Sequence, residues 1–311
     1  MELKWLEDFL SLSQTLSFSR SAHERNVTQS ALSRRIRQLE TWLGVPLFDR
    51  TSYPVRMTPE GRDFLPRAQQ ILHDLTEVRR EIRRQHQITA EVLTFATLNT
   101  LSLTFFPGWV QKIEARSGPF KTRFGDQKPS LAGNVALLLD GESDFLLTYA
   151  HPHVQLHIDA ARFVYRCLGA EAAIPVCVPD RQGAPLYPIR EDGPPISYLS
   201  YGSSSFFGRG LAKLFAERPL PLVTVYENAM SAGLKAMALA GRGVAWIPES
   251  LVTDELRSGA LVRAGDPSWN LPTEIRLYRA RARGRPAVER FWAAIDDYAE
   301  ATATFPVAGA A

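Results

Sequence analysis

The stretch from Ser17 to Arg50, SFSRSAHERNVTQSALSRRIRQLETWLGVPLFDR, constrains the fold more than any other part of the chain. Ser19 to Arg25 carry a short helical pattern that stops at a polar turn residue, Asn26. A second helical pattern begins at Thr28 and runs to about Leu43, with Val27, Ala31, Leu32, Ile36, Leu39 and Leu43 on one face. The opposite face carries Gln29, Ser30, Ser33, Arg34 and Arg37. Two helices joined by a turn of three or four residues make a helix-turn-helix, and this polar face suits a DNA major groove. Arg matches guanine O6 and N7 there, and Gln matches adenine N6 and N7.

The charge distribution agrees. The chain of 311 residues has a net charge of +3. Residues 1–88 hold 14 Lys and Arg against 11 Asp and Glu, so the whole excess lies in the segment with the helix-turn-helix pattern. Residues 17–37 alone carry five Arg and one Glu, a footprint for phosphate contact. Gln29, Ser33 and Arg34 are the candidate base-edge residues. Thr28, Ser30, Arg35, Arg37, Arg50 and Arg56 are candidates for phosphate or positioning contacts, with Glu40 and Asp49 as competing partners for some of the arginines.

The flanks complete a small domain. A first helix is expected over 3–14, with Leu3, Leu6, Phe9, Leu10 and Leu12 inward and Trp5, Phe18 and Ala22 closing the core. Gly44 fits a helix C-cap. Val45 to Phe48 and Val55 to Met57, around a Thr-Ser-Tyr-Pro turn, read as a two-stranded wing. Thr58 then caps a long helix with Pro59 in its first turn. Phe64, Ala68, Ile71, Leu75, Val78 and Ile82 recur at spacings of 4, 3, 4, 3 and 4. That is a heptad seam, expected to pair with a second copy, packing against its own domain being the alternative; a second copy would supply the two-fold symmetry for two half-sites.

Beyond a polar joint at 85–90 the pattern changes. Val92–Leu98 reads as a buried strand and Leu101–Ile113 as a helix containing Pro107. Apolar runs at Phe145–Tyr149, Ile174–Val178, Leu222–Val225, Gly243–Ile247 and Ile275–Tyr278 alternate with helical patterns, which predicts helices packed over sheets. With 45% hydrophobic and 22% charged residues the composition is that of a globular protein. Two cysteines make no disulfide framework and fit a reducing cytosol. The start of the chain is broken by Lys4, Glu7 and Asp8 and does not read as a signal peptide, and no run of about 18 apolar residues predicts a membrane span.

TQSALSRRIRQLETWLGVPLFDR from Thr28, followed by Met57-Thr58-Pro59-Glu60-Gly61, closely resembles the N-terminal signature of LysR-type transcriptional regulators. The resemblance implies an α+β multidomain chain: a winged helix-turn-helix over 1–58, a linker and dimerisation helix over 59–88, and a two-lobed α/β effector domain resembling periplasmic binding proteins. Lobe I would comprise 89–160 and 267–311, and lobe II 161–266. It further implies a cytoplasmic protein that binds double-stranded DNA as a homodimer, assembled into a homotetramer, and that meets RNA polymerase if it activates. No cofactor is expected.

Asn99, Thr100 and Ser102 follow the first strand of that domain, where the family commonly holds effectors; the hydroxyls serve equally as helix caps. Tyr201 to Phe207 (YGSSSFF) is the matching loop of lobe II, so Tyr201, Ser203 and Phe207 are candidates for a pocket wall or a flexible loop, and Gln127 for a third wall. WLEDFLSL, TLNTLSLTFFP and PAVERFW are most similar to the hypochlorite-responsive branch of the family, in which methionine oxidation is the proposed signal. Met230, in YENAMSAGLKAMALAGRGVAWIPE, matches a methionine of that branch, while Phe207 stands where another is expected. A thioether becoming a polar sulfoxide changes packing, yet a helical Met also serves as plain core. The alternative signal is a small organic anion, and the alternative outside the class is an architectural DNA-binding protein without an effector.

Cys167 and Cys177 allow a thiol switch or, for Cys177 in its apolar run, a structural role. His151, His153 and His157 have a spacing open to metal, but no fourth ligand is identifiable and no metal site is assigned. The chain contains no G-x-S-x-G, G-x-x-x-x-G-K-[ST] or H-E-x-x-H motif, and it is not read as an enzyme.

Overall fold

The computed structural model describes residues 2–25, 27–51, 55–86, 91–125 and 130–303. They fall into two units divided between Gln87 and Ile88.

In the first unit α1 (Leu3–Thr15), α2 (Phe18–Glu24) and α3 (Gln29–Leu43) precede the wing strands β1 (Phe48–Asp49) and β2 (Arg56–Met57), and α4 (Pro59–His86) follows. Each boundary has a local cause. Ser17 accepts from Arg20 N to cap α2, and Thr28 accepts from Ala31 N to cap α3. Gly44 ends α3 at φ 79°, a left-handed conformation that a side chain disfavours. The Thr58 hydroxyl accepts from Gly61 N at 3.0 Å, and a Cβ on Gly61 would collide with the Leu47 carbonyl, so this glycine lets α4 start against the wing. Leu6, Phe9, Leu12, Ile36, Leu39, Leu47 and Phe48 form the core, with Phe9 packed on Phe48 and Phe64. Leu3 does not join them: it is the first residue of α1 and is exposed, the core beginning a turn later at Leu6.

In the second unit β3 (Val92–Thr97) lies parallel to β4 (Lys121–Phe124) and β5 (Phe145–Ala150). α5 (Asn99–Thr104), α6 (Phe106–Ser117) and α7 (Leu131–Leu139) connect them. The fifteen-residue β6 (Phe163–Cys177) pairs antiparallel with β11 (Leu271–Ala280), which also pairs with β5. The end of β6 pairs instead with β9 (Ala245–Pro248) and β10 (Val262–Arg263). Among the described residues these strands make one seven-stranded sheet, while β7 (Ile196–Ser200) and β8 (Leu222–Glu227) make a separate parallel pair. α8 (Phe206–Glu217), α9 (Ser231–Leu239), α10 (Glu249–Ser258) and α11 (Pro286–Ala303) cover the strands. Thus β6 and β11 run between two groups of strands, the two-lobed α/β arrangement that the resemblance implies. Their register shifts at Ile275/Arg276, opposite Gly169 and Cys167, which leaves Leu168 as an extra residue and bends the ladder between the groups.

The helix expected over Leu101–Ile113 is two helices. Pro107 cannot donate to the fourth residue back, so α5 stops at Thr104 and α6 starts at Phe106 with the proline in its first turn. β4, β7 and the first half of β6 lack an apolar run: β4 alternates Lys, Thr, Arg, Phe along a sheet edge. Phe95, Phe145 and Trp109 meet Phe291 of α11 in an aromatic cluster, and Phe106 joins it through Phe95 and Trp109.

Candidate functional site

On the first unit, α3 carries Thr28, Gln29, Ser30, Arg34 and Arg37 exposed, with Ser33 half-buried among them. Arg56 is exposed on the wing. Two of the candidate arginines are already engaged. Arg35 donates to Asp8 at 3.3 Å, and this fully buried carboxylate also takes Arg25 Nε at 2.9 Å. Arg50 donates to Glu40 at 2.7 Å and lies over the Phe18 ring, while the other Glu40 oxygen accepts from Leu47 N and Phe48 N. The Glu40 carboxylate thereby ties α3 to the wing. Thr28 spends its hydroxyl on the α3 cap. Gln29, Arg34 and Arg37 have no such engagement among the described residues and are free to reach outward.

The heptad seam of α4 divides. Ala68 is fully buried and Phe64 packs on Phe9, so both belong to the core of their own unit, contrary to the expectation that the full seam faces a second copy. Ile71, Leu75 and Val78 are 41%, 48% and 53% exposed. The side chain of Ile82 lies outside the described residues.

In the second unit a cavity of about 340 Å³ is walled by Thr97–Thr100, Leu131, Asn134, Tyr149, Ser205–Phe207 and Asn228–Ser231. Asn99, Thr100, Phe207 and Met230 thus line one cavity. The Ser231 hydroxyl accepts from Thr100 at 3.1 Å and from Tyr201 at 2.8 Å. Asn99 Nδ2 approaches Met230 Sδ at 3.8 Å, and Met230 N donates to Asn228 Oδ1 at 2.9 Å. Burial raises the Tyr201 phenol far above its ordinary range despite the bond to Ser231, so it stays a neutral donor.

Other candidates are absent from the wall. Tyr201 stands behind Phe207, its ring 5.2 Å away. The Ser102 hydroxyl turns back to the Asn99 carbonyl at 2.7 Å. Ser203 is exposed on the turn, and Ser205, the N-cap of α8, faces the cavity in its place. Gln127 lies outside the described residues. Ser205 belongs to the YGSSSFF loop, whereas Tyr149, Asn134, Asn228 and Ser231 were not anticipated. The legible signal was a tyrosine beside Thr148 in the buried run FLLTYA.

A larger and more open hollow of about 1040 Å³ borders the 150–158 loop and includes His151 and His157. The rings of His151 and His153 are 5.3 Å apart, and His151 Nδ1 accepts from His153 N. Burial, then the neighbouring His153, lowers the His151 pKa. Among the described residues no three His, Cys, Asp or Glu side chains converge on a metal position. Cys167 is exposed and Cys177 buried, its thiol pushed up by burial. Ten residues apart on one strand, they are separated by roughly 30 Å at the rise of an extended chain, too far for a mutual disulfide.

A winged helix-turn-helix followed by a two-lobed α/β unit with a cavity among its helix starts is the architecture of a ligand-responsive DNA-binding regulator. Residues 3–62 match the bacterial regulatory helix-turn-helix protein model of the lysR family, and residues 86–300 match the LysR substrate binding domain. The chain belongs to the LysR family of transcriptional regulators. It is 32% identical over 293 residues to the HTH-type transcriptional regulator YjiE of Escherichia coli, covering 94% of this chain and 93% of YjiE. Full-length HypT from Salmonella typhimurium, described as a hypochlorite-specific LysR-type regulator, is 29% identical with a TM-score of 0.59, covering 97% of this chain and 99% of HypT. Vibrio fischeri DarR, solved in complex with DNA, is 29% identical with a TM-score of 0.56, covering 94% and 97%. Among the described residues no helix is long and apolar enough to cross a membrane.

Proposed function

We propose that this regulator reads DNA through α3 and senses an oxidant of the hypochlorite class at Met230. Gln29, Ser33 and Arg34 meet base edges; Thr28, Ser30, Arg37 and Arg56 meet phosphates or set the register, with Arg35 and Arg50 contributing from their ion pairs. The DNA-binding domain spans 1–58, the linker helix 59–88, and the lobes 89–160 with 267–311 and 161–266. Ile71, Leu75 and Val78 pair two copies, with Ile82 extending the seam. The protein works in the cytoplasm as a homodimer that assembles into a homotetramer, and meets RNA polymerase if it activates.

The observation that carries the signal is the position of Met230. It is 51% exposed at the cavity rim with its sulfur within reach of the Asn99 amide. Hypochlorous acid transfers its oxygen to such a thioether, giving the sulfoxide, chloride and a proton; the new oxygen is a far stronger acceptor for Asn99 than sulfur. The likeness to HypT, described as hypochlorite-specific, supports this reading. Phe207 fills the space between Tyr149 and Tyr201, so no second methionine is needed there for packing. The test is fluorescence anisotropy on DNA from the gene's upstream region, before and after graded hypochlorite, with methionine sulfoxide reductase added back. A reversible change in affinity, lost in Met230→Ile, is expected. Specific binding indifferent to the oxidant would remove the mechanism.

A second reading is favoured by a separate observation: none of the described side chains around the cavity is charged, while α7, α8 and α9 all begin at its wall. Helix starts carry partial positive charge, so a small organic anion suits the space.

A further inference from the structure

The hollow of about 1040 Å³ meets the smaller cavity only at the end of β5, where Tyr149 lines the cavity and Ala150 and His151 line the hollow. Successive strand residues point to opposite faces, so one strand end serves two separate spaces. One wall of the hollow is the β6–β11 ladder and another is the loop from His151 to Ile158. The ladder wall crosses the bulge, with Ala170 and Thr273 on one side of it and Tyr165 and Tyr278 on the other.

On that wall Tyr165, Tyr278 and Arg276 form a platform. The Tyr165 ring is 45% exposed. The Arg276 guanidinium lies over it at 4.3 Å, and the Tyr278 ring is 5.2 Å away. Glu274 and the Tyr278 hydroxyl hold that guanidinium at 2.7 and 3.3 Å, so the platform is set before any ligand arrives. An exposed π-surface of this kind stacks planar rings. Arg281 follows Tyr278 by three residues, roughly 10 Å along an extended chain, with Phe163 in the wall between them. Its Nε and Nη2 donate to the Ala161 and Ala160 carbonyls at 3.2 and 2.9 Å, which fix the side chain without cancelling its charge. Among the described residues Glu274 is the only carboxylate lining the hollow, and Arg276 already neutralises it. With the histidines neutral, the hollow carries one uncancelled cation at a fixed distance from a stacking platform.

We propose that this hollow is a second ligand site, for a planar aromatic ring that carries an anionic arm. The ring stacks on Tyr165, the body lies along Phe163, and the anion reaches Arg281. Nucleoside monophosphates and arylacetates share this chemistry, and the volume, at the upper end of small-molecule sites, admits either. A ligand seated here touches the ladder on both sides of the bulge. It therefore favours one bend of β6 and β11 over another, which gives it a route to the DNA-binding unit that does not pass through the smaller cavity.

The experiment is isothermal titration of the full-length protein at low salt with AMP and 1-naphthaleneacetate. Their uncharged counterparts, adenosine and 1-naphthaleneacetamide, and inorganic phosphate are titrated beside them. The variants are Tyr165→Ala, Tyr165→Phe and Arg281→Gln, each with a thermal melt. One of the two aromatic anions is expected to bind once per chain, and which one it is names the source of the ligand. Its uncharged counterpart should bind at least about tenfold more weakly. Tyr165→Ala and Arg281→Gln should each weaken the anion by about tenfold, while Tyr165→Phe keeps the affinity because the ring does the stacking. Neither anion bound, or an anion bound equally by Tyr165→Ala and Arg281→Gln, overturns the site. A counterpart bound as tightly as its anion overturns the role of Arg281, and phosphate bound as tightly as AMP overturns the platform. Should Tyr165→Ala melt early, Arg281→Gln decides alone, since that side chain is exposed and bonds only to carbonyls.

Discussion

At the scale of single residues, the adjacent Arg34 and Arg35 do different things. Arg34 is exposed and unengaged among the described residues, whereas Arg35 reaches Asp8, which is wholly buried and also holds Arg25. A buried carboxylate is tolerable only while its cations remain, and the cations lean on it in turn. Asp8→Asn is therefore expected to lower stability by roughly 2 kcal/mol, discounted from the fully buried case because both guanidiniums are partly in solvent. A urea titration followed by circular dichroism reads this as an earlier first transition. Arg34→Ala should move that transition by less than about 0.5 kcal/mol while costing roughly 1–3 kcal/mol of discrimination between operator and unrelated DNA. If the two substitutions had the same profile, the division of labour between them would be wrong. The sequence showed the arginine cluster but not this division, because the partner that captures Arg35 sits 27 residues away on another helix. Tyr149 was visible as a tyrosine in a buried run, but its place in the cavity wall was not, because its neighbours Phe206 and Phe207 lie far along the chain.

At the scale of elements, local signals were read most reliably where cap and spacing coincide. Thr28, Gly44 and Thr58 mark helix ends by chemistry carried within a few residues, and each does so in the structure. Strands without an apolar run, such as β4 and β7, owe their pairing to distant partners and left little trace in the sequence. The α4 seam lies between these cases. Its spacing was legible, but the partner of each position was not: the small head claims Phe64 and Ala68 and leaves Ile71, Leu75 and Val78 uncovered. This split makes opposite predictions for the two parts of one helix. Leu75→Asp with Val78→Asp should convert a dimer to a monomer in sedimentation velocity and leave the melting of the head intact. Phe64→Asp should unfold the head itself, since it would bury a charge against Phe9. A dimer that survives the double substitution would place the pairing surface elsewhere.

At the scale of the whole molecule, the question is how an event at the cavity changes the affinity for DNA. Within the second unit, three contacts clasp α5 to the 228–231 segment and α10: Thr100 to Ser231, Asn99 to Met230, and Ser250 to Thr104 at 3.1 Å. In the proposed division these join lobe I to lobe II, and among the described residues the only strands that run between the two groups of strands are β6 and β11, bent at Leu168. A clasp opposite a bend is a natural two-position element, and a signal acts on it only through a difference in affinity for the two positions. Ser231→Ala removes the acceptor shared by Thr100 and Tyr201, both buried, and should cost about 1–3 kcal/mol in the melting of this unit. If the clasp defines the resting state, the same substitution should also shift DNA affinity before any signal is added. Coupling energies of about 1–3 kcal/mol set the expected scale, a five- to roughly hundredfold change in anisotropy titrations. Linkage then requires the reciprocal: operator DNA must change the affinity for a cavity ligand by the same factor in the wild type, and by less in Ser231→Ala. A variant that melts earlier but binds DNA as the wild type does would show that the clasp shapes the cavity alone, and would leave β6 and β11 to carry the signal.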